Sequence, residues 1–339
     1  MSWFSTEGKC PHHVIRSEVG YIRNLEAIPF AHKAGEKELE RYLSLCEALL
    51  EKNGFSTESS SPLSRSHLLA LAEKGFVDPD AAECRQVSVF FNQPCNLAVT
   101  LGGIDLLNIR AVVGGKAVLE AQSISLEAEE MLDRELDFAY STDFGYLSPI
   151  PHRCGSGELF SALVFLPAAR YFGEISAIRQ LCSSHGAFIC SLSQSSDTPC
   201  DLFTVTYTPH RLCDHRSDAR GFEMLLDSLI SREKLLEEQL FSSSANQLCD
   251  KALRALGTML YAARLEEDEL LSFTSSIRLC LANGDGKLPM SLISLNRILA
   301  EGLNCSVADE NPSASSQDDL DVLRASTVKA ILSADASRS

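Results

Sequence analysis

Three short β-like runs follow one another with almost nothing between them: QVSVFFNQ (86–93), NLAVTLGG (96–103) and LLNIRAVVGG (106–115). A parallel pairing needs a crossover of a dozen or more residues. Antiparallel neighbours joined by brief turns therefore fit these runs best. An antiparallel sheet is thus the element around which the rest of the chain has to be arranged. AFICSLS (187–193) and DLFTVTYT (201–208) have the same β-like character and extend the expectation.

Helical patterns surround these runs. Residues 34–53 place Leu39, Tyr42, Leu43, Cys46, Leu49 and Leu50 at helical spacing, with Gly54 as a stop. SSSPLS (59–64) reads as a loop, 64–75 as a short helix, and VDPD (77–80) as the opening of a turn. SISLEAEEMLDRELDFAY (123–140) reads as a helix. DFGYLSPIPHRCGSGELFSALVFLP (143–167) reads as a strand, a Gly/Pro-rich turn and an apolar helix. Further helices are expected at 174–184 and 217–240, with a break at Ser242–Ser244. Helical patterns then run to about residue 303, followed by a polar loop (306–319) and a short helix (320–332). The fold class is α+β: an antiparallel sheet flanked by helices (1–244), then a small C-terminal helical domain (245–339). A length of 339 residues agrees with two domains at roughly 150 residues each.

Charge narrows the partners. The net charge is -16, from 46 acidic and 30 basic residues. Such a chain lacks the Lys/Arg excess that nucleic-acid backbones or anionic membranes require. No apolar run reaches transmembrane length, and MSWFSTEGKCPHH lacks the basic and apolar regions of a secretory signal. A cytoplasmic location is expected, with the twelve cysteines as reduced thiols.

Few segments suggest chemistry by themselves. In Pro151–Gly157 a Gly-Ser-Gly turn before the expected helix could offer backbone N–H groups to an anion, and Cys154 could be activated there. His210, Cys213 and His215 resemble a fragment of a metal site, with Cys190 and Cys200 upstream, but no C-x-x-C pair completes it. Asn283–Gly286 has only part of a calcium-loop pattern, without its closing Glu. Asp105 is the acid of the sheet turn 102–105. No P-loop, dinucleotide fingerprint or G-x-S-x-G occurs.

Several segments together resemble the ATP:guanidino phosphotransferases, in particular the bacterial protein-arginine kinase branch. Residues 143–168 match GYLTSCPTNxGTGLRASVxxHLPA with the spacing of GYL, P, G-[ST]-G and LPA kept. LSRSHLLALAEKGFVDPDAAE (63–83) is similar to the family's helix ending in LISPELAE, and 249–284 resembles the bacterial helical domain. RSEVGYIRNLEAIPF (16–30) resembles SSRIRLARN followed by FPF. The likeness covers roughly residues 15–332.

The resemblance implies transfer of the ATP γ-phosphoryl group to a guanidinium, which relies on positioning and on cations around the phosphates. Ser17 and the pair Arg23-Asn24 are kept, but the family's phosphate-binding arginines fall on Glu18 and Gly20. An anion at Glu18 beside a phosphate, at about 4 Å and an effective dielectric near 20, costs about 4 kcal/mol. The family's NEEDH falls on 102–106: the catalytic glutamate becomes Gly103 or Ile104, the nucleotide-contacting histidine becomes Leu106, and Asp105 remains. The reactive cysteine becomes Ile150, with Cys154 four residues on, and the arginine of LRAS becomes Leu159. The turn Gly155-Ser156-Gly157 is kept, and the RGxYGEG loop falls on 188–196 without an arginine. The family's phosphoarginine-docking RDxxRA becomes Leu320–Ala325, keeping Asp321 and Arg324.

With these replacements the chain reads as a catalytically impaired pseudokinase that acts through protein binding or regulation. Its implied partners are an active arginine kinase, a zinc-finger adaptor or phosphoarginine proteins, and it is expected to form a homo-oligomer. The alternative is an active protein-arginine kinase with atypical site residues, which would use Mg·ATP. A reading outside the family is a metal-binding structural protein built on His210, Cys213 and His215.

Overall fold

The computed structural model describes residues 2–57, 63–84, 86–193, 200–209, 215–283 and 288–336. The strands are β1 (Val14–Arg23), β2 (Ser56–Thr57), β3 (Ser88–Phe91), β4 (Leu97–Leu101), β5 (Leu107–Gly114), β6 (Tyr140–Ser141), β7 (Gly145–Tyr146), β8 (Glu158–Phe165), β9 (Ala187–Ser191) and β10 (Leu202–Tyr207). The α-helices are α1 (Glu36–Lys52), α2 (Arg65–Glu73), α3 (Val118–Asp133), α4 (Pro167–Tyr171), α5 (Ile175–Ser184), α6 (His215–Tyr261), α7 (Glu267–Ala282), α8 (Leu292–Gly302), α9 (Asn304–Glu310) and α10 (Gln317–Ala336).

Eight strands make one antiparallel sheet in the order β2-β3-β4-β5-β1-β8-β10-β9. The three closely spaced runs are β3, β4 and β5, paired in chain order as their turns require. The sheet's centre is β1, to which the sequence reading assigned no element. All ten of its residues are buried, between β5 on one side and β8 on the other. One face of the sheet is covered by α3 and α6, where Tyr21, Phe160 and Phe222 pack among buried aliphatics. The opposite face carries the cleft described below.

The structure revises four sequence expectations. The apolar run after Gly157 is not a helix but β8, a strand inserted between β1 and β10. Apolar residues stand on both faces of this strand, Leu159 and Leu163 on one and Phe160, Ala162 and Val164 on the other, so its pattern does not distinguish it from a buried helix. The break at Ser242–Ser244 is absent, because α6 passes through it and the boundary drawn at 244/245 lies within this helix. The Ser242 and Ser243 hydroxyls donate to the carbonyls of Gln239 and Leu240, which keeps serines compatible with a helix interior. The polar segment 306–319 is mostly helical, as α9 and the start of α10. Its first turn is capped by the Glu73 carboxylate, which accepts from the Cys305 and Ser306 N–H groups at 2.9 and 2.8 Å. Finally, α3 begins and ends earlier than expected, and Tyr140 belongs to the β6–β7 hairpin.

Two hydrophobic clusters occupy the interior. The larger fills the space on the sheet and reaches Leu271, Leu279, Leu299 and Leu303 in the helical part. The smaller joins the C-terminal half of α6 to α7, α8 and α10. No helix among the described residues is long and apolar enough to cross a membrane.

Glu233 ties α6 to the start of α4, just after β8. Its side chain is fully buried, and its carboxylate accepts from the N–H groups of Ala168 and Ala169 at 2.6 and 3.0 Å, at the start of α4. Burial pushes the carboxyl up to about 8 despite those two donors, with Glu237 and Asp201 adding to the rise. The folded value lies above the ordinary 4.5, so the folded state holds the proton more tightly than the unfolded chain. The resulting stability is fully present below about pH 4.5 and is lost as pH rises through about 8, an effect on the order of a few kcal/mol. Urea unfolding at pH 5 and pH 8.5 should show this fall, and Glu233→Gln should reduce the difference between the two pH values.

Candidate functional site

A cleft of about 1010 Å³ opens on the free face of the sheet. Its floor is built from alternate residues of four adjacent strands: Arg16, Glu18 and Gly20 on β1, Arg110 on β5, Leu159 and Ser161 on β8, and Thr204 and Thr206 on β10. Period-two alternation places all of these on one face. The register sets Gly20 opposite both Arg110 and Leu159, and Glu18 opposite Ser161. One wall is the end of α2 with the turn to Pro79. The other is helical and carries Arg264, Glu267, Asp268, Asn304, Gln317 and Asp321.

The charges on this floor are paired with one another. Arg16 Nε donates to Glu18 Oε1 at 2.7 Å, and Arg16 Nη1 donates to the Glu73 carbonyl at 3.1 Å. Arg110 lies 4.0 Å from Glu18 and donates to Asp78, whose other oxygen accepts from Asn108 at 2.8 Å. Burial opposes ionisation of Asp78, but the charge and hydrogen bond of Arg110 outweigh it and hold the carboxyl below its ordinary range. Arg153 lies 3.3 Å from Asp105 and 3.5 Å from Asp80. On the helical wall Arg264 donates to Asp321 at 3.0 Å and lies 3.0 Å from Asp318. Four arginines and seven carboxylates line the cleft, and each of those arginines is held by an acid.

The sequence expectation for Glu18 changes accordingly. Its charge is countered in place by Arg16 and Arg110, at the cost of occupying both guanidinium groups. Arg16, Arg110 and Asp78 were missed at the sequence level. A charged residue inside the apolar run LLNIRAVVGG was the available signal for Arg110.

Several expected ligand residues point away from the cleft. The Ser17 hydroxyl donates to the Gly115 carbonyl at 2.8 Å and accepts from the Ala117 N–H at 3.1 Å. Arg23 is buried on the opposite face of β1. It donates to Glu129 at 2.8 Å and to the carbonyls of Ile22 and Ser156, and its guanidinium lies 3.4 Å from the centre of the Tyr146 ring. The turn Gly155-Ser156-Gly157 wraps this guanidinium. Gly157 has φ +64°, and a Cβ there would come within 2.4 Å of Arg23 Nη1. A strand follows the turn, so the expected helix N-terminus for an anion, and for activation of Cys154, does not exist. The Cys154 thiol instead contacts the Ser148 backbone.

The turn 102–106 lies beside the cleft. Gly103 and Ile104 line a small cavity next to Asp78, Asp80, Asp105 and Arg153. Asp105 is buried and accepts from Asn24 at 2.7 Å, and the Leu106 N–H donates to Asn24 at 2.9 Å. Neither Leu106 nor Ile150 lines the cleft. The Ile150 carbonyl accepts from the Arg153 N–H at 2.9 Å, closing the turn. Of the family positions, the fold brings together Glu18, Gly20 and Leu159 on the cleft floor.

Arg324 does not offer a grip for phosphate. It is 0% exposed and donates to the carbonyls of Gly302 and Leu265 and to Asp321 and Asn304. Asp321 is equally buried, and Gln317, Arg324 and Arg264 overcome the effect of burial to hold it ionised below its ordinary range. His210 and Cys213 lie outside the described residues, as do 194–196 and 284–286. His215 is the first residue of α6. Among the described residues no group of three or more His, Cys, Asp and Glu is placed to hold a metal.

Comparison with known proteins agrees with this architecture. The model of the ATP:guanido phosphotransferase C-terminal catalytic domain matches residues 36–201. The protein-arginine kinase of Clostridium kluyveri is 24% identical over 328 residues, 93% of each chain. That of Pelotomaculum thermopropionicum is 23% identical over 293 residues, covering 82% of this chain and 80% of that one. The chain belongs to the ATP:guanido phosphotransferase family. Its similarity along most of its length is to the bacterial protein-arginine kinases of that family. Among solved structures it resembles the duplicated taurocyamine kinase of Schistosoma mansoni (TM-score 0.56, 14% identity, 70% of this chain) and a lombricine kinase (TM-score 0.51, 15% identity, 69% of this chain). It spans 35% of the duplicated enzyme and 70% of the lombricine kinase. At such identities the likeness is one of fold.

The role of Arg324 is open to a direct check. Substituting a solvated docking arginine leaves stability within about 0.5 kcal/mol. Arg324→Ala instead strands two carbonyls and part of Asp321, and should cost about 3 kcal/mol in urea unfolding.

Proposed function

We propose that this chain keeps the guanido phosphotransferase fold without its reaction and acts by binding proteins. One observation carries the reading: each of the four arginines lining the cleft is already held by a carboxylate, and Glu18, Gly20 and Leu159 stand where the family places phosphate-binding arginines. A nucleotide polyphosphate entering this cleft meets seven carboxylates. Each uncompensated like-charge approach at about 4 Å costs about 4 kcal/mol at an effective dielectric near 20. Without the glutamate at 103–104, the guanidinium also lacks its base, a loss of roughly 10²–10⁴ in rate.

Gly20 gives the reading a steric component. A Cβ at this position would lie 2.8 Å from the Ile109 carbonyl oxygen, so an arginine cannot be restored there without moving the backbone of β5. The partners that fit this reading are an active arginine kinase of the same family, a zinc-finger adaptor or phosphoarginine-bearing proteins. Phosphoarginine recognition would have to use donors other than Arg324. A cytoplasmic homo-oligomer completes the proposal.

Calorimetric titration with Mg·ATP and Mg·ADP at low salt tests it. No heat of binding is expected. A dissociation constant tighter than roughly 100 µM, about -5.5 kcal/mol, would favour an active kinase with atypical residues. ATP-dependent arginine phosphorylation by the purified protein, abolished by heating it, would overturn the proposal.

A further inference from the structure

Cys249 on α6 and Cys280 on α7 face each other across the junction of the two helices, with their sulfurs 3.3 Å apart. Other described thiols are placed differently: those of Cys84, Cys95, Cys154 and Cys200 turn toward backbone carbonyls. Cys249 is half-buried and Cys280 is buried at 5% exposure, so a reagent from solvent meets Cys249 first. We infer that Cys249 and Cys280 form a reversible disulfide site that takes small-molecule disulfides as its oxidant.

The step balances by thiol–disulfide exchange. The Cys249 thiolate attacks one sulfur of the small disulfide, forming a mixed disulfide and expelling a small thiolate. The Cys280 thiolate then attacks the Cys249 sulfur and expels the second small thiolate. The protein loses two protons and two electrons, and the small disulfide leaves as two thiols. Side-chain rotation can bring the sulfurs from 3.3 Å to bonding distance, about 2.05 Å, because they already touch.

The bond would act on the cleft wall. Glu267, Asp268 and Leu271 of α7 line the cleft, while α6 packs under the sheet through Phe222 and Leu226. A link between 249 and 280 would therefore tie the helical wall to the element that supports the floor. It would also close a loop between positions 31 apart in the chain, restricting the unfolded state.

The test uses the full-length protein. It is incubated with oxidised glutathione, alkylated, digested with trypsin without reduction and examined by mass spectrometry. Cleavage after Lys234, Lys251, Arg278 and Lys287 places the two thiols in separate peptides, 235–251 and 279–287, each with one cysteine. The expected result is that these peptides are linked in most molecules and are released by dithiothreitol. Oxidation should raise the thermal midpoint by roughly 5 °C. Cys280→Ser should abolish that rise and leave glutathione attached to Cys249, because the resolving thiol is gone. The inference fails if wild-type Cys249 remains glutathionylated beside an alkylated Cys280. It fails equally if both thiols stay alkylated or if either pairs with another cysteine.

Discussion

A charge carried on β1 has little water to reach. The strand lies at the centre of an eight-stranded sheet and is buried along its whole length, yet it bears Arg16, Glu18 and Arg23. Removing an ion from water costs several kcal/mol unless a partner and further hydrogen bonds replace the lost hydration. The surroundings of β1 are organised to supply them. On the cleft face Arg16 and Glu18 pair with each other and extend through Arg110 to Asp78. On the other face Arg23 takes Glu129 from α3, two carbonyls and the Tyr146 ring. The turn at 155–157, the position of α3 and the path from α2 to Asp78 all follow from satisfying these ions.

The same pairing governs what the cleft can do. A phosphate site needs cations whose hydrogen-bond donors are aimed at an incoming ligand. Here the donors are aimed at the protein's own carboxylates. The acids of both cleft walls are also engaged: Glu73, at the end of α2, and Glu267 cap α9, and Asp321 holds Arg264 and Arg324. The cleft therefore keeps its shape while its charges serve the fold. The structural neighbours share that shape at 14–15% identity, and a shared fold leaves the chemistry to the side chains that line the site.

Legibility in the sequence followed how local each signal was. The hairpins of β3, β4 and β5 were readable because their turns leave no other pairing, and α1 because its apolar stripe and Gly54 lie within 20 residues. β8 was not readable because apolar residues stand on both of its faces, and β1 because Arg16, Ser17, Glu18 and Arg23 break up any β-branched or aromatic run. The α9 helix was hidden because the carboxylate that caps it comes from Glu73, more than 230 positions away. At the site, the replaced positions Glu18, Gly20 and Leu159 could be read from motif spacing, and the strand register brings them together on the cleft floor. Their partners could not, because Arg110 meets Glu18 only through strand pairing, and Asp78 reaches Arg110 only through a turn.

The amino-acid sequence by itself determined the antiparallel sheet, the family motifs with their spacing, and the presence of Glu18, Gly20 and Leu159 where the family motifs carry arginines. These are properties of neighbouring residues and of residue identity. Only the tertiary structure decided that Arg23 and Arg324 are buried supports rather than ligand contacts, that Glu18 is neutralised in place, and that Cys249 touches Cys280. Each depends on which distant groups share a low-dielectric space, and chain folding sets that, not composition.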